Sequence, residues 1–319
     1  MEKADSSREV SKWETLDIDI LAFIFDKLDV IDITMGASRV CVYWYLASHN
    51  KTLWNTVDLA KLQQKGQPIL LYKHQVDDEV KEFTLTKITS RFFSDVYVEG
   101  ISLRSLLFEI SKLSGTVPKN LFFNFYSCIQ EMDLMFAAKR MKNIEKLVLP
   151  VWCYQTENSF RFAFSQWKTL KTLIIAHDYY VTGTRFEFQD VGKNCSNLTN
   201  LKYLGNLHEH YAEEIVRYLQ GLKRLSLRCS SVSITAVLSL ITGLQKLTIL
   251  NLSHCQELDL YPKTIHNDNL VQAATQKLEK LIICSGNDCK VCKDGPNIFG
   301  THPFYEKNWR NDEIKELEF

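Results

Sequence analysis

Through the second half of the chain, apolar residues recur at the spacing apolar-x-x-apolar-x-apolar. Six copies stand at Ile144/Leu147/Leu149, Leu170/Leu173/Ile175, Leu198/Leu201/Tyr203, Leu222/Leu225/Leu227, Leu247/Leu250/Leu252 and Leu278/Leu281/Ile283. The last two apolar residues of each copy are one position apart, so they share a face of an extended segment while their neighbours face the other way. Each copy therefore predicts a short strand with a core side and a display side. The copies return about every 24 to 31 residues, the period of a stacked array in which each unit adds one strand to a parallel sheet. Weaker copies at Phe93/Val96/Val98 and Phe123/Phe125, with a lone pair at Val57/Leu59, extend the stack to about eight or nine repeats.

Three places past each inward pair, where the chain turns out of its strand, stand Cys128, Asp178, Asn206, Ser230 and Cys255, with Trp152 and Gly286 as degenerate copies. Polar or small residues suit that turn by bonding to or packing on the neighbouring coil. Between the strands, apolar residues fall three and four apart, which predicts helices near 105–113, 131–141, 211–219 and 234–241. Gly221 and Gly243 read as helix-ending glycines. Period, strand and helix together resemble leucine-rich repeats. The expected fold is an α/β solenoid, with a parallel sheet on the concave side and helices on the convex side.

Residues 13–55 have another rhythm. Leu21, Ile24, Phe25 and Leu28 form one helical stripe, and Ile33, Ala37, Val40, Cys41 and Trp44 form a second, with Asp32 placed to cap it. So short a module cannot bury a full core alone, so apolar surface is left over for docking. The division read from these rhythms is a flexible stretch at 1–12, a helical module at 13–55, repeats at 56–286 and a cap or tail at 287–319.

Composition narrows the functional classes. The 319 residues are 45% hydrophobic and 24% charged, as in an ordered globular chain, and Lys plus Arg equal Asp plus Glu at 38 each. That balance gives no drive toward nucleic acid or an anionic membrane. The polar start MEKADSSREV and the lack of a long apolar run point away from a signal peptide or span, and so to the cytoplasm or nucleus. The nine cysteines are then expected as thiols. Phosphate-loop, nucleophile-elbow, H-E-x-x-H and dinucleotide fingerprints are all missing, and His208-Glu209-His210 reads as a solvated run, so no catalytic residue is assigned.

Leu16, Leu21, Ile24-Phe25, Leu28, Asp32-Ile33, Arg39-Val40-Cys41, Trp44, Ala47 and Leu53-Trp54 resemble an F-box in order and spacing. An N-terminal F-box ahead of cysteine-containing repeats is similar to the plant F-box/LRR-repeat family. The ending, Cys289-Lys-Val-Cys292 followed by Phe304-Tyr305-Glu306, Trp309 and Asp312-Glu313-Ile314, resembles one branch of it. The resemblance implies a three-helix docking module that binds a Skp-type adaptor, and through it a cullin, while the repeats hold a protein substrate for ubiquitination. Adaptor contacts carried over by residue fall on Leu16, Ile24, Phe25, Leu28, Val40, Cys41 and Trp44. One departure is Asp17, where the family usually has Pro; Asp caps a helix start by another route.

Taking the residues that flank each inward pair, the display face begins acidic and aromatic, turns apolar in the middle and ends basic. Tyr97, Phe122, Asn124, Tyr126, Lys146, Lys202, Arg224, Arg228 and Asn251 are its candidate substrate contacts, since exposed aromatics and arginines are what binding hot spots use. No cofactor or metal ligand is assigned. Cys284, Cys289 and Cys292, with His302 further on, contain a single C-x2-C, half of what a zinc site requires. Two other readings stay open: a repeat scaffold outside any ligase, and a small-molecule receptor of the F-box/LRR kind, for which the basic residues are few.

Overall fold

The computed structural model describes residues 12–60, 97–98, 101–125, 127, 129–150, 157–177, 186–258, 268–284, 289–293 and 309–319. Its strands are β1 (Thr56–Asp58), β2 (Tyr97–Val98), β3 (Ile101–Ser102), β4 (Asn120–Phe122), β5 (Lys146–Leu149), β6 (Thr172–His177), β7 (Asn200–Leu207), β8 (Arg224–Ser226), β9 (Ser231–Val232), β10 (Ile249–Asn251), β11 (Gln256–Glu257) and β12 (Lys280–Ile282). The main sheet runs β1-β4-β5-β6-β7-β8-β10-β12, all parallel, with β9 and β11 continuing the ladder beyond β7. This is a leucine-rich-repeat solenoid of the α/β class.

Register shows why the apolar spacing works. Val57, Leu121, Leu147, Leu173, Leu201, Leu225, Leu250 and Leu281 lie opposite one another across the strands, one leucine row stacked through the array. Helices Leu103–Ser114, Glu131–Arg140, Glu157–Gln166, Phe188–Asn194, Glu209–Tyr218, Ile234–Gly243 and Asp268–Lys277 return between strands and close the core from behind. Side chains fix several of their starts: Ser102 accepts from Ser105 N, Ser233 accepts from Ala236 N, and Asp133 accepts from Gln130 N. The turn position after the strands also behaves as expected. Ser230 Oγ donates to Tyr203 O at 2.9 Å and Cys255 Sγ to Leu227 O at 2.8 Å, each tying its turn to the preceding repeat.

Three expectations change. Tyr97 and Val98 belong to an antiparallel pair with β3, since β1 bonds directly to β4 and leaves β2 no place between them; Phe93 and Val96 lie outside the described residues. The repeat read as Phe123/Phe125 is shifted by one pair: Leu121 stands opposite Leu147, and Phe125 falls past the strand into a second, concave-side cluster. Gly243 is the last residue of the helix Ile234–Gly243 and Gly221 follows the helix Glu209–Tyr218, but neither has the positive φ of a glycine cap. Gly115 does have a positive φ, 58°, after Leu103–Ser114, whereas a Cβ on Gly243 would come within 2.5 Å of Val216, so that glycine serves close packing of adjacent helices.

The N-terminal module comprises the helix Ile18–Phe25, wide and tight turns over Asp32–Gly36 and Ala37–Arg39, the helix Val42–Ala47 and the turn Lys51–Trp54. Asp17 caps the first helix by accepting from Asp19 N at 2.8 Å, doing the work expected of it in place of proline. Asp29, not Asp32, caps the second segment: its Oδ1 accepts from Asp32 N. The module shares a continuous core with the first repeats, into which it sends Leu21, Phe25, Ile33, Ala37 and Trp54. Trp54 is buried and donates from Nε1 to Ser48 O at 2.7 Å.

Candidate functional site

Two surfaces draw attention, one at each end of the chain. The first is the outer side of the N-terminal module. Of the twelve large apolar side chains most exposed to solvent among the described residues, ten lie between Trp13 and Leu46; the other two are Phe108 and Met132. Phe23 is 69% exposed and Val42 71%, beside Ile20, Val40, Tyr43 and Leu46. Exposed apolar side chains concentrated on one module in this way mark a docking surface.

The predicted adaptor contacts divide across this module. Leu28 and Val40 are exposed and Cys41 is half-buried, so these face the docking side. Phe25 is 0% exposed and packs edge-on against Trp44, with ring centroids 5.3 Å apart, so it is a core residue and cannot touch a partner. Leu16, Ile24 and Trp44 are partly buried against the same core, and Trp44 Nε1 donates to Trp13 O at 2.9 Å. The stripe misled because its helix is not continuous. Cys41 is extended, with φ of −159°, and this break resets the helical phase, turning Val42, Tyr43, Tyr45 and Leu46 outward. Phe23, the most exposed large apolar residue of the first helix, belongs to no inward stripe, and that was the signal available in sequence.

The second surface is the concave face of the sheet, and it is covered. Residues 309–319 run over it and back, forming a built-in occupant. One register row explains the fit: Phe122, Val148, Ile174, Lys202, Ser226 and Asn251 sit side by side on successive strands, apolar in the first half and polar in the second. Trp309 and Phe319 pack on the apolar half with Phe122, Phe125, Val148 and Ile174, the Phe125–Trp309 and Phe122–Phe319 centroids being 5.1 and 5.7 Å apart. Asp312 takes the polar half. Its carboxylate accepts from Ser226 Oγ and from Asn251 Nδ2 at 3.1 Å and lies 3.6 Å from Lys202 Nζ.

Lys202 is 1% exposed, and its ammonium also donates to Trp309 O at 2.9 Å and Asn311 O at 3.1 Å, with the Asp312 carboxylate as its ion-pair partner. Burial pulls its pKa down to about 8, with Asp312 opposing the fall. Arg228 pairs with Glu313, Nε to Oε2 at 2.8 Å, and Arg224 Nη2 lies 3.5 Å from Glu316. Burial works against the Glu313 charge, yet hydrogen bonds from His254, Asn251 and Arg228 hold its carboxyl far below the usual range. Lys146 donates to Glu318 O.

The predicted substrate contacts Phe122, Lys146, Lys202, Arg224, Arg228 and Asn251 are thus brought together, but under the protein's own tail. Asn124 instead donates to Ala60 O at 2.6 Å at the sheet's first edge. Tyr97 lies in the β2–β3 pair off the concave sheet, and Tyr126 is outside the described residues. Sequence reasoning read the face but missed its cover. The available signal was complementarity, an aromatic and an acidic pair at Trp309 and Asp312-Glu313 against a face that turns from apolar to basic. Among titratable clusters, Cys284, Cys289 and Cys292 do converge, with His254 beside them; His302 lies outside the described residues.

A helical module with an apolar outer side, fused to leucine-rich repeats, is the architecture of an F-box/LRR protein. No protein-family model matches the chain. Its sequence is 59% identical, over a 338-residue alignment covering all of both chains, to a protein of Arabidopsis thaliana named as an F-box protein. It is 28% identical over 328 residues, 99% of each chain, to an F-box/LRR-repeat protein of the same plant. The chain belongs to the plant F-box/LRR-repeat family. Among solved structures, the Toll–Spatzle complex of Drosophila aligns with 54% of this chain and 24% of that one, at 14% identity and a TM-score of 0.35, too slight a likeness to carry an argument. No helix among the described residues is long and apolar enough to cross a membrane.

Proposed function

We propose that this protein is the substrate-recognition subunit of a Skp–cullin–F-box ubiquitin ligase, acting in the cytoplasm or nucleus. The N-terminal module docks a Skp-type adaptor, which joins it to the cullin, and the repeats hold a protein substrate. The reading rests above all on the concentration of exposed apolar side chains on one module at Phe23, Val40, Val42 and their neighbours. No chemistry is asked of the chain itself. Its contribution is position: a substrate lysine held near a charged conjugating enzyme reacts as if at high local concentration.

The scaffold reading would need the module's apolar surface folded inward, and only its inner half is. On the concave face, a substrate that engages Lys202, Arg228 and Asn251 displaces the tail residues bonded to them. The adaptor arm is tested by pull-down on a plant Skp-type adaptor. Phe23→Asp with Val42→Asp, both on exposed positions, abolishes capture while leaving the unfolding transition in place. Capture that survives both charges overturns the assignment.

A further inference from the structure

We infer that His254, Cys284, Cys289 and Cys292 form a tetrahedral zinc site that clamps the C-terminal end of the solenoid. The four ligand atoms come from three separate pieces of chain: the turn after β10, the residues just past β12, and the short helix Lys290–Lys293 with the cysteine that precedes it. They nonetheless all lie within 4.8 Å of one another. His254 Nδ1 is 3.3 Å from both Cys289 Sγ and Cys292 Sγ, and Cys284 Sγ is 3.3 Å from Cys292 Sγ. Sulfur and nitrogen ligands held about 2.0 to 2.3 Å from a zinc ion at tetrahedral angles stand roughly 3.5 to 3.8 Å apart, so three of the pairs are already as close as such a site requires and the whole cluster, within 4.8 Å, is near its size. Thiols are weak hydrogen-bond donors and would not by themselves draw three segments to one point.

The surroundings fit the role. His254 sits in the left-handed region, φ of 60°, at the same turn position as Cys229 and Gly205 in the preceding repeats, so the repeat's own turn aims the imidazole at the cysteines. Its other nitrogen, Nε2, lies 3.4 Å from Glu313 Oε1. A carboxylate on the far side of the ring fixes the tautomer that leaves Nδ1 free to ligate, the usual outer partner of a metal-bound histidine. The backbone N–H of His254 donates to Cys284 Sγ at 3.3 Å, as it would to a bound thiolate. Three sulfurs and one imidazole select a soft, tetrahedral ion, and zinc is the common one.

The location gives the site its purpose. A solenoid needs a cap where stacking stops. β12 is the last strand of the described sheet, and its residues are exposed or half-buried where the equivalent residues of β8 and β10 are largely buried. The apolar core thins there, and a metal crosslink takes over. Through Glu313 it also ties the cap to the tail, since the same carboxylate bonds Arg228 and Asn251.

Metal analysis of the full chain, purified under reducing conditions, tests the site. One zinc per chain is expected, and cobalt(II) exchanged into it gives the sulfur-to-cobalt charge-transfer and tetrahedral ligand-field bands. Cys289→Ser loses the metal, and Cys289→His retains it with weaker charge transfer, which separates lost ligation from lost folding. Glu313→Gln weakens affinity about 10- to 100-fold. A folded wild-type chain that takes up neither zinc nor cobalt overturns the proposal. So does a mass two hydrogens lighter that reports a disulfide within the cluster, or a cobalt spectrum that Cys289→Ser leaves unchanged.

Discussion

The outer side of the N-terminal module and the concave face of the repeats are both rich in the residues that make interfaces, yet one is bare and the other is dressed. On the module, Phe23 and Val42 stand in solvent. On the repeats, the apolar and basic row from Phe122 to Asn251 is covered by Trp309, Asp312, Glu313 and Phe319. Composition alone does not separate these cases. A bare surface waits for another chain, whereas a covered one has a resident that any ligand must first move.

The sharpest way to break this comparison is to alter neighbouring positions within the bare region. Phe25→Ala removes a fully buried ring and should cost about 3 to 5 kcal/mol in urea unfolding, whereas Phe23→Ala, two residues away and exposed, should stay within about 0.5 kcal/mol. Equal losses would mean that the module's inside and outside have been misplaced.

The covered region has a middle-sized test. Asp312→Ala leaves Lys202 buried beside an absent partner, a change that costs about 3 to 5 kcal/mol when a buried charge is stranded. The lower end is expected, because Lys202, with its pKa already drawn down to about 8, sheds its proton readily. Thermal unfolding of the variant, together with dye binding to the uncovered apolar row, measures it. An unchanged transition without dye binding would show that the tail does not lie there.

The smallest effects are in the pH dependence, and their signs oppose. Lys202 has a lowered pKa in the fold, so between about pH 8 and the ordinary lysine value near 10.4 the unfolded chain holds more protons and stability rises with pH. Cys195, in the repeats and accepted by Phe164 O and Trp167 O, is pushed up to about 12 by burial. The stability it contributes is complete below the ordinary thiol range and is lost as pH rises toward about 12. Urea midpoints taken from about pH 7 to about pH 10.5 should therefore fall more steeply in Lys202→Met than in the wild type, and less steeply in Cys195→Ala. The reverse order would contradict the burial of both groups.

What sequence showed, and what it hid, follows the range of each interaction. The leucine row was legible because the same demand repeats on every strand, from Val57 to Leu281, and the parity of the display face came with it. The cover was not, because Lys202, in the middle of the repeat array, and Trp309, beyond its last strand, are far apart in the chain with no shared period to announce the pairing. His254 was hidden likewise: it belongs to a repeat turn, while its three cysteine neighbours follow in a later segment. In the module the obstacle was local. An extended Cys41 breaks the helix and exchanges inward and outward faces, which a continuous stripe cannot express.

Backbone hydrogen exchange on the full chain, alone and with a Skp-type adaptor, tests the difference between the two surfaces most directly. The account predicts new protection across residues 18–46 on adding adaptor, with residues 224–254 and 309–319 already slow to exchange and unchanged. Protection gained on the concave face, with none on the module, would contradict it.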